Sequence, residues 1–124
     1  MEGIVDFSDW EKLDFRVAQV KNVEEIEGAD KLWKLTLDVG KEIGERIVCA
    51  GIKQHYSKEE LEGKKIIVFA NLAPRKMRGV ESQGMLLAAV SENSEGSAHP
   101  GTHPNEVVVL LSPEKDIEVG SRIR

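Results

Sequence analysis

Arg75, Lys76 and Arg78 place three cations within four residues, between Pro74 and Gly79, in the stretch NLAPRKMRGVESQGM at 71–85. The nearest acid is Glu81. The chemistry open to such a group is anion binding: guanidinium forks match the oxygens of a phosphate, and lysine adds a point charge. Pro74 stiffens the entry to the cluster, and Gly79 lets the backbone approach a ligand closely. Ser82 and Gln83 add uncharged donors of the kind that share phosphate oxygens. Met77 and Met85 set soft apolar surface beside the charges, suited to packing on sugar or base. A cluster of charges is often only a solvated loop. The bracketing Pro and Gly and the neighbouring donors favour a ligand.

Other constellations carry less. His99 and His103 lie in HPGTHP, where Pro100 and Pro104 forbid the helix that would bring histidines four apart onto one metal. Cys49 sits in the apolar run RIVCAG, which suits a small buried thiol with no basic partner to activate it. The acids of EEIEGAD (24–30) and KEELEG (58–63) read as solvated faces rather than a general acid–base pair. No phosphate-binding glycine motif is present. No catalytic residue, cofactor or metal site is expected.

The chain has 124 residues, 40% hydrophobic and 31% charged, which suits one globular domain over 1–124. No apolar run reaches the length of a membrane span, and no secretory signal opens the sequence. With a single cysteine, cytoplasmic residence is the expectation. The 22 acids against 17 lysines and arginines leave a net charge of -5, which argues against broad nucleic-acid binding. An anion site on this chain must therefore be local.

The elements that hold the cluster follow from periodicity. Ser8 and Glu11 have capping-box spacing for a short helix over 8–13. Phe15, Val17 and Val20, then Leu35, Leu37 and Val39 alternating with Thr36 and Asp38, read as strands. RIVCAG makes a third strand. Ser57, Glu60 and Gly63 bound a short helix. KKIIVFAN and GMLLAAV make strands four and five, and VVVLLS at 107–112 a sixth after a long polar loop. Five strands with a helix between the third and fourth is the order of an OB-fold, a five-stranded Greek-key barrel. The expected core spans about 14–90, with terminal extensions at 1–13 and 91–124. The cations then fall in the loop between strands four and five, with Lys31 and Lys34 near the 1-2 loop, both ligand-binding loops of that fold. Of the six aromatics, Phe15 and Phe69 read as core and Phe7 and Trp10 as N-terminal, leaving Trp33 and Tyr56. So thin a stacking platform is a poor reader of single strands and suits a folded RNA held by shape and phosphate.

The run NLAPRKMRGVESQGMLLAA, with DFRVAQV and GADKLWKLTLDVG upstream, resembles the tRNA-binding domain family. Its members include free-standing dimeric tRNA-binding proteins, the C-terminal extension of methionyl-tRNA synthetase, and endothelial monocyte-activating polypeptide II. The resemblance implies an OB-fold that grips the outer corner of tRNA without much sequence preference. It further implies a beta subunit of methionyl-tRNA synthetase, non-catalytic alone, or a free tRNA-binding or signalling protein. On the family pattern Asp30, Lys31, Asn71, Lys76, Met77, Arg78, Gly79, Ser82 and Met85 carry over, and charge and position add Arg75. It favours a homodimer joined through the terminal segments, to be broken by charged residues at Val108 and Leu110.

Overall fold

A single long strand organises the chain. In the computed structural model, which describes residues 3–92 and 106–124, β1 (Phe15–Glu25) pairs antiparallel with both β2 (Trp33–Asp38) and β4 (Lys65–Phe69). Outside these lie β3 (Glu45–Ala50) against β2, and β7 (Met85–Leu86) against β4. The resulting order β3-β2-β1-β4-β7 wraps into a nearly closed antiparallel barrel, as the OB-fold reading expects. β1 pairs with one neighbour along each edge, and it bends where the β2 pairing shifts between Val20 and Asn22, leaving Lys21 as the extra residue of a bulge. The bulge also swaps the inward positions. Ala18 and Val20 point inward before it and Val23 after it, onto Leu35, Leu37, Val48, Ile66 and Val68.

The short helix α2 (Lys58–Leu61) lies between β3 and β4 and lowers the fully buried Leu61 into this core. Its capping box forms as the sequence implies, with Ser57 Oγ accepting from the Glu60 N–H at 3.1 Å and Glu60 Oε1 accepting from the Ser57 N–H at 2.9 Å. The first helix differs. α1 spans Phe7–Glu11 with Asp6 at its N-cap and no side-chain capping bond, so Ser8 is inside the helix and its box with Glu11 does not form. α1 has no buried residue. It is held by aromatic contact, Trp10 on Phe15 at 5.6 Å and Phe15 on Phe69 at 4.8 Å between ring centroids. These rings lie outside the barrel rather than in its core.

The expected fifth strand is two. It turns at Leu87 into β8 (Ala88–Glu92), which leaves the barrel and pairs with β9 (Glu106–Leu110) in a ribbon of its own. Alternation along β9 turns Leu110 and Val108 toward the core, while Val107 and Val109 stay 41% and 53% exposed. Charged residues at Val108 and Leu110 would therefore break the core; Val107 and Val109 are the outward positions. The tail then returns along β1. Lys65 Nζ holds Asp116 at 2.7 Å, Arg16 Nη1 donates to the Gly120 carbonyl at 3.1 Å, and β10 (Arg122–Ile123) pairs with Phe15 and Arg16. Gly40 must be glycine for this return, since a Cβ there would lie 2.8 Å from the Cα of facing Gly120. His99 and His103 lie outside the described residues. Among the described residues no helix is long and apolar enough to cross a membrane.

Candidate nucleic-acid interface

The cation cluster is not an open loop. Arg75–Met77 (β5) and Val80–Ser82 (β6) form a hairpin with Arg75 opposite Ser82, Lys76 opposite Glu81 and Met77 opposite Val80. Arg78 and Gly79 are its two-residue turn, with φ of 52° and 82°. Positive φ at both central residues marks the type I′ turn, whose twist matches that of paired strands. Glycine adopts it without cost. Arg78 is the one non-glycine residue with positive φ among the described residues. Such a conformation costs a side-chain-bearing residue of order 1 kcal/mol, and turns of this type usually place Asn or Asp there.

Hairpin alternation sorts the side chains. Arg75, Met77, Val80 and Ser82 share one face, and Lys76 and Glu81 the other. Met77 and Val80 pack, together with Leu32, on a small second core of Ile26, Ala29 and Cys49. Ile26 and Ala29 belong to the turn between β1 and β2, so the exposed Asp30 and Lys31 are carried beside the hairpin. Lys34 is opposite Cys49 in the β2–β3 register. Burial pushes the Cys49 thiol up from its ordinary pKa, against a smaller opposing pull from Lys34, so it is a neutral packing group at pH 7.

Of the expected phosphate donors, Ser82 is turned inward and the half-buried Gln83 is tied to the edge of β3. Ser82 is 2% exposed; its Oγ accepts from the Cys49 N–H at 3.0 Å and donates to the Gly84 carbonyl at 3.3 Å. Gln83 donates its N–H to the Ile47 carbonyl at 2.7 Å and accepts from the Ile47 N–H through Oε1 at 3.0 Å. Together they close the barrel seam against β3 and fasten the root of the hairpin. Asn71 ties the N-terminal segment down, accepting from the Asp14 N–H at 2.8 Å and donating to the Lys12 carbonyl at 2.7 Å. Met85 is half exposed, across the β4–β7 ladder from Phe69 rather than on the hairpin. Trp33 and Tyr56 are also engaged: Trp33 Nε1 donates to the Tyr56 carbonyl at 2.8 Å, and the Tyr56 hydroxyl accepts from the Leu110 N–H at 3.0 Å.

The cations left facing solvent are Arg75, Lys76 and Arg78, with Lys31 nearby. Among the described residues none of them forms an ion pair within 4.0 Å; Arg75 Nη2 donates weakly to Met77 Sδ, at 4.0 Å. Arg16 shows the contrast. It is nearly buried between Asp14 (2.6 Å) and Glu42 (2.7 Å), which raise its pKa, and it serves the fold. Solvent-facing cations without ion-pair partners are of the kind that contact phosphate oxygens in nucleic-acid complexes. Sequence reasoning missed Val80 and the Ile26–Ala29 contact that seats the hairpin. The signal was present: a residue-glycine pair flanked by Met77 and Val80 is a hairpin signature.

The family model for a tRNA binding domain matches residues 15–122, from the start of β1 to β10. The methionine–tRNA ligase of Caldanaerobacter subterraneus subsp. tengcongensis is 46% identical over 119 residues, which are 96% of this chain and 16% of that protein, so the chain spans about one-sixth of that relative's length. A solved methionyl-tRNA-synthetase-related protein from Pyrococcus horikoshii superposes with a TM-score of 0.79 at 37% identity, covering 98% of this chain and 99% of that one. The chaperone CsaA from Picrophilus torridus superposes with a TM-score of 0.78 at 30% identity, covering 98% and 100%. The barrel, the hairpin that projects from it and the match along nearly the whole chain lead to one conclusion: this chain belongs to the tRNA-binding domain family.

Proposed function

We propose that this chain binds folded tRNA through the β5–β6 hairpin and acts, without catalysis of its own, as the tRNA-binding beta subunit of a methionyl-tRNA synthetase. The observation that carries the reading is the row of solvent-facing, unpaired cations Arg75, Lys76 and Arg78 on a hairpin fixed to the barrel. Lys31 extends that surface. Met77 and Gly79 seat and turn the hairpin, Ser82 and Gln83 anchor it, Asn71 after β4 ties down the N-terminal segment, and Met85 lies on the neighbouring β4–β7 ladder. With Trp33 and Tyr56 engaged internally, phosphate and shape rather than base stacking supply the grip. The ligase relatives support the synthetase partner, and the reading places the chain with the translation machinery of the cytoplasm.

The same reading includes a homodimer. Val107 and Val109 on the ribbon, and Ile4, Val5 and Phe7 near the N-terminus at 84%, 66% and 71% exposure, are apolar side chains that a second copy of the chain would cover. This surface also favours one alternative, a free-standing chaperone-like protein, in keeping with the CsaA likeness. Steady-state aminoacylation separates the two. As a beta subunit, the chain lowers the apparent tRNA KM of a methionyl-tRNA synthetase catalytic subunit and leaves pyrophosphate exchange unchanged, because grip on distant tRNA is uniform binding. An unchanged KM with retained tRNA binding would favour the free-standing protein, and pyrophosphate exchange by the chain alone would overturn both.

A further inference from the structure

Glu81 is the one acid between residues 71 and 90, and the strand register sets it directly opposite Lys76 on the outer face of the hairpin. Met77 and Val80 flank the two-residue turn and so exchange the backbone hydrogen bonds. The next pair, Lys76 and Glu81, is the non-hydrogen-bonded kind, in which the Cβ atoms come within about 4.5–5.5 Å. Both side chains are exposed. Packing therefore does not explain an acid at this position: the apolar contacts of the hairpin come from the other face, through Met77 and Val80. Nor does the barrel seam use it, since that is bonded by Ser82 and Gln83. What Glu81 does touch is the electrostatics of the three cations.

We infer that Glu81 is an affinity-limiting residue, a carboxylate that competes with RNA phosphate for the Lys76 ammonium. The inference rests on the reading that the hairpin takes phosphate. A lysine facing a carboxylate across a strand pair is partly neutralised before any ligand arrives. The two side chains form no ion pair within 4.0 Å here, so the carboxylate acts through its nearby charge: it lowers the local positive potential, and an incoming phosphate meets a like charge beside the ammonium. Lys76 thus delivers less than a full cation, while Arg75, on the opposite face, and Arg78, at the turn, are not opposed. The consequence is a grip strong enough to hold a ligand that also engages Arg75, Arg78 and Lys31, and weak enough to let it go. A module that assists repeated turnover on tRNA needs that release.

The test is equilibrium binding of bulk tRNA to the full chain at low and high salt, comparing wild type, Glu81→Gln, Lys76→Gln and the double variant. Glu81→Gln is expected to bind about two- to fivefold more tightly at low salt, with a steeper salt dependence and a gain that closes as salt rises. The gain should shrink when Lys76 is already Gln. A thermal melt of Glu81→Gln controls for folding, and an exposed isosteric change should leave it nearly unmoved. Unchanged or weaker binding by Glu81→Gln, with wild type binding normally, would overturn the inference alone, leaving Glu81 as a strand-pairing residue or an RNA contact. A gain undiminished by Lys76→Gln would overturn Lys76 as its target. Wild type that fails to bind tRNA would overturn both this inference and the reading beneath it.

Discussion

Replacing Arg78 by Asn should make the protein more stable and a poorer RNA binder at once. Arg78 has φ of 52° in a two-residue turn whose other member is Gly79. Asn tolerates this region far better than Arg, so the exchange should relieve about 0.5–1 kcal/mol of local strain. For a chain of 124 residues that amounts to a rise in Tm of about 2–5 °C. The guanidinium is exposed and makes no ion pair within the described residues, so no stabilising contact is lost to offset the gain. Against RNA the sign reverses. A charge-assisted contact to phosphate contributes about 1.5–3 kcal/mol, so affinity should fall roughly ten- to a hundredfold. The slope of log affinity on log salt should flatten by about 0.7–0.9 for the one lost phosphate. Differential scanning calorimetry and tRNA filter binding read the two effects separately. A variant that loses stability would refute the turn geometry, and one that keeps wild-type affinity and slope would refute the strained arginine as a ligand contact.

Ser82→Ala leaves the buried Cys49 N–H without its acceptor and should cost about 1–3 kcal/mol in urea unfolding; a neutral result would show that the seam does not depend on this hydroxyl. Val107→Lys with Val109→Lys should convert a dimer to a monomer of 13.8 kDa in light scattering while changing the thermal melt little, because both side chains face outward; an unchanged mass would place any interface elsewhere. Asp14 supplies a pH test. The Arg16 guanidinium bonded to it, with a smaller pull from Arg122, holds its carboxyl below the ordinary carboxylate range despite partial burial. Its folded pKa is therefore lower than its unfolded one. The stability it contributes is fully present above about pH 4 and is lost as pH falls through the depressed value. Asp14→Asn should lower stability at neutral pH and flatten the acid limb of the melting curve; identical acid limbs would rule the pair out as a clamp.

Much of the barrel was legible because its residues obey two short-range rules. Leu35, Leu37 and Val39 alternate on one face, and Ser57 with Glu60 caps the helix between β3 and β4. What sequence did not reveal depends on pairing at a distance. The bulge at Lys21 shifts the inward positions of β1, and no local pattern announces it. The bend at Leu87 is set by Ile67 on one side and Leu111 on the other, whose backbones take up its N–H and carbonyl. Ser8 failed as a cap because the exposed helix starts at Phe7 and is secured by Trp10 instead. At the candidate site residue type identified the cations, since nothing else on the chain concentrates them. It did not foresee that Ser82 Oγ and Gln83 Oε1 serve the strand edge of β3, since their hydrogen-bonding groups are equally suited to phosphate and to such an edge. Only the register against Ile47 and Cys49 decides between them.

If the hairpin cations hold tRNA phosphate, the salt dependence of tRNA binding must register each of them. Wild type and a variant with Arg75, Lys76 and Arg78 all changed to Ala are titrated with tRNA across a salt series. Circular dichroism confirms that the barrel of the variant is intact. The variant should bind more weakly, with a slope flatter by about 2–3, at 0.7–0.9 for each phosphate contact removed. A folded triple variant with the affinity and slope of wild type would contradict it.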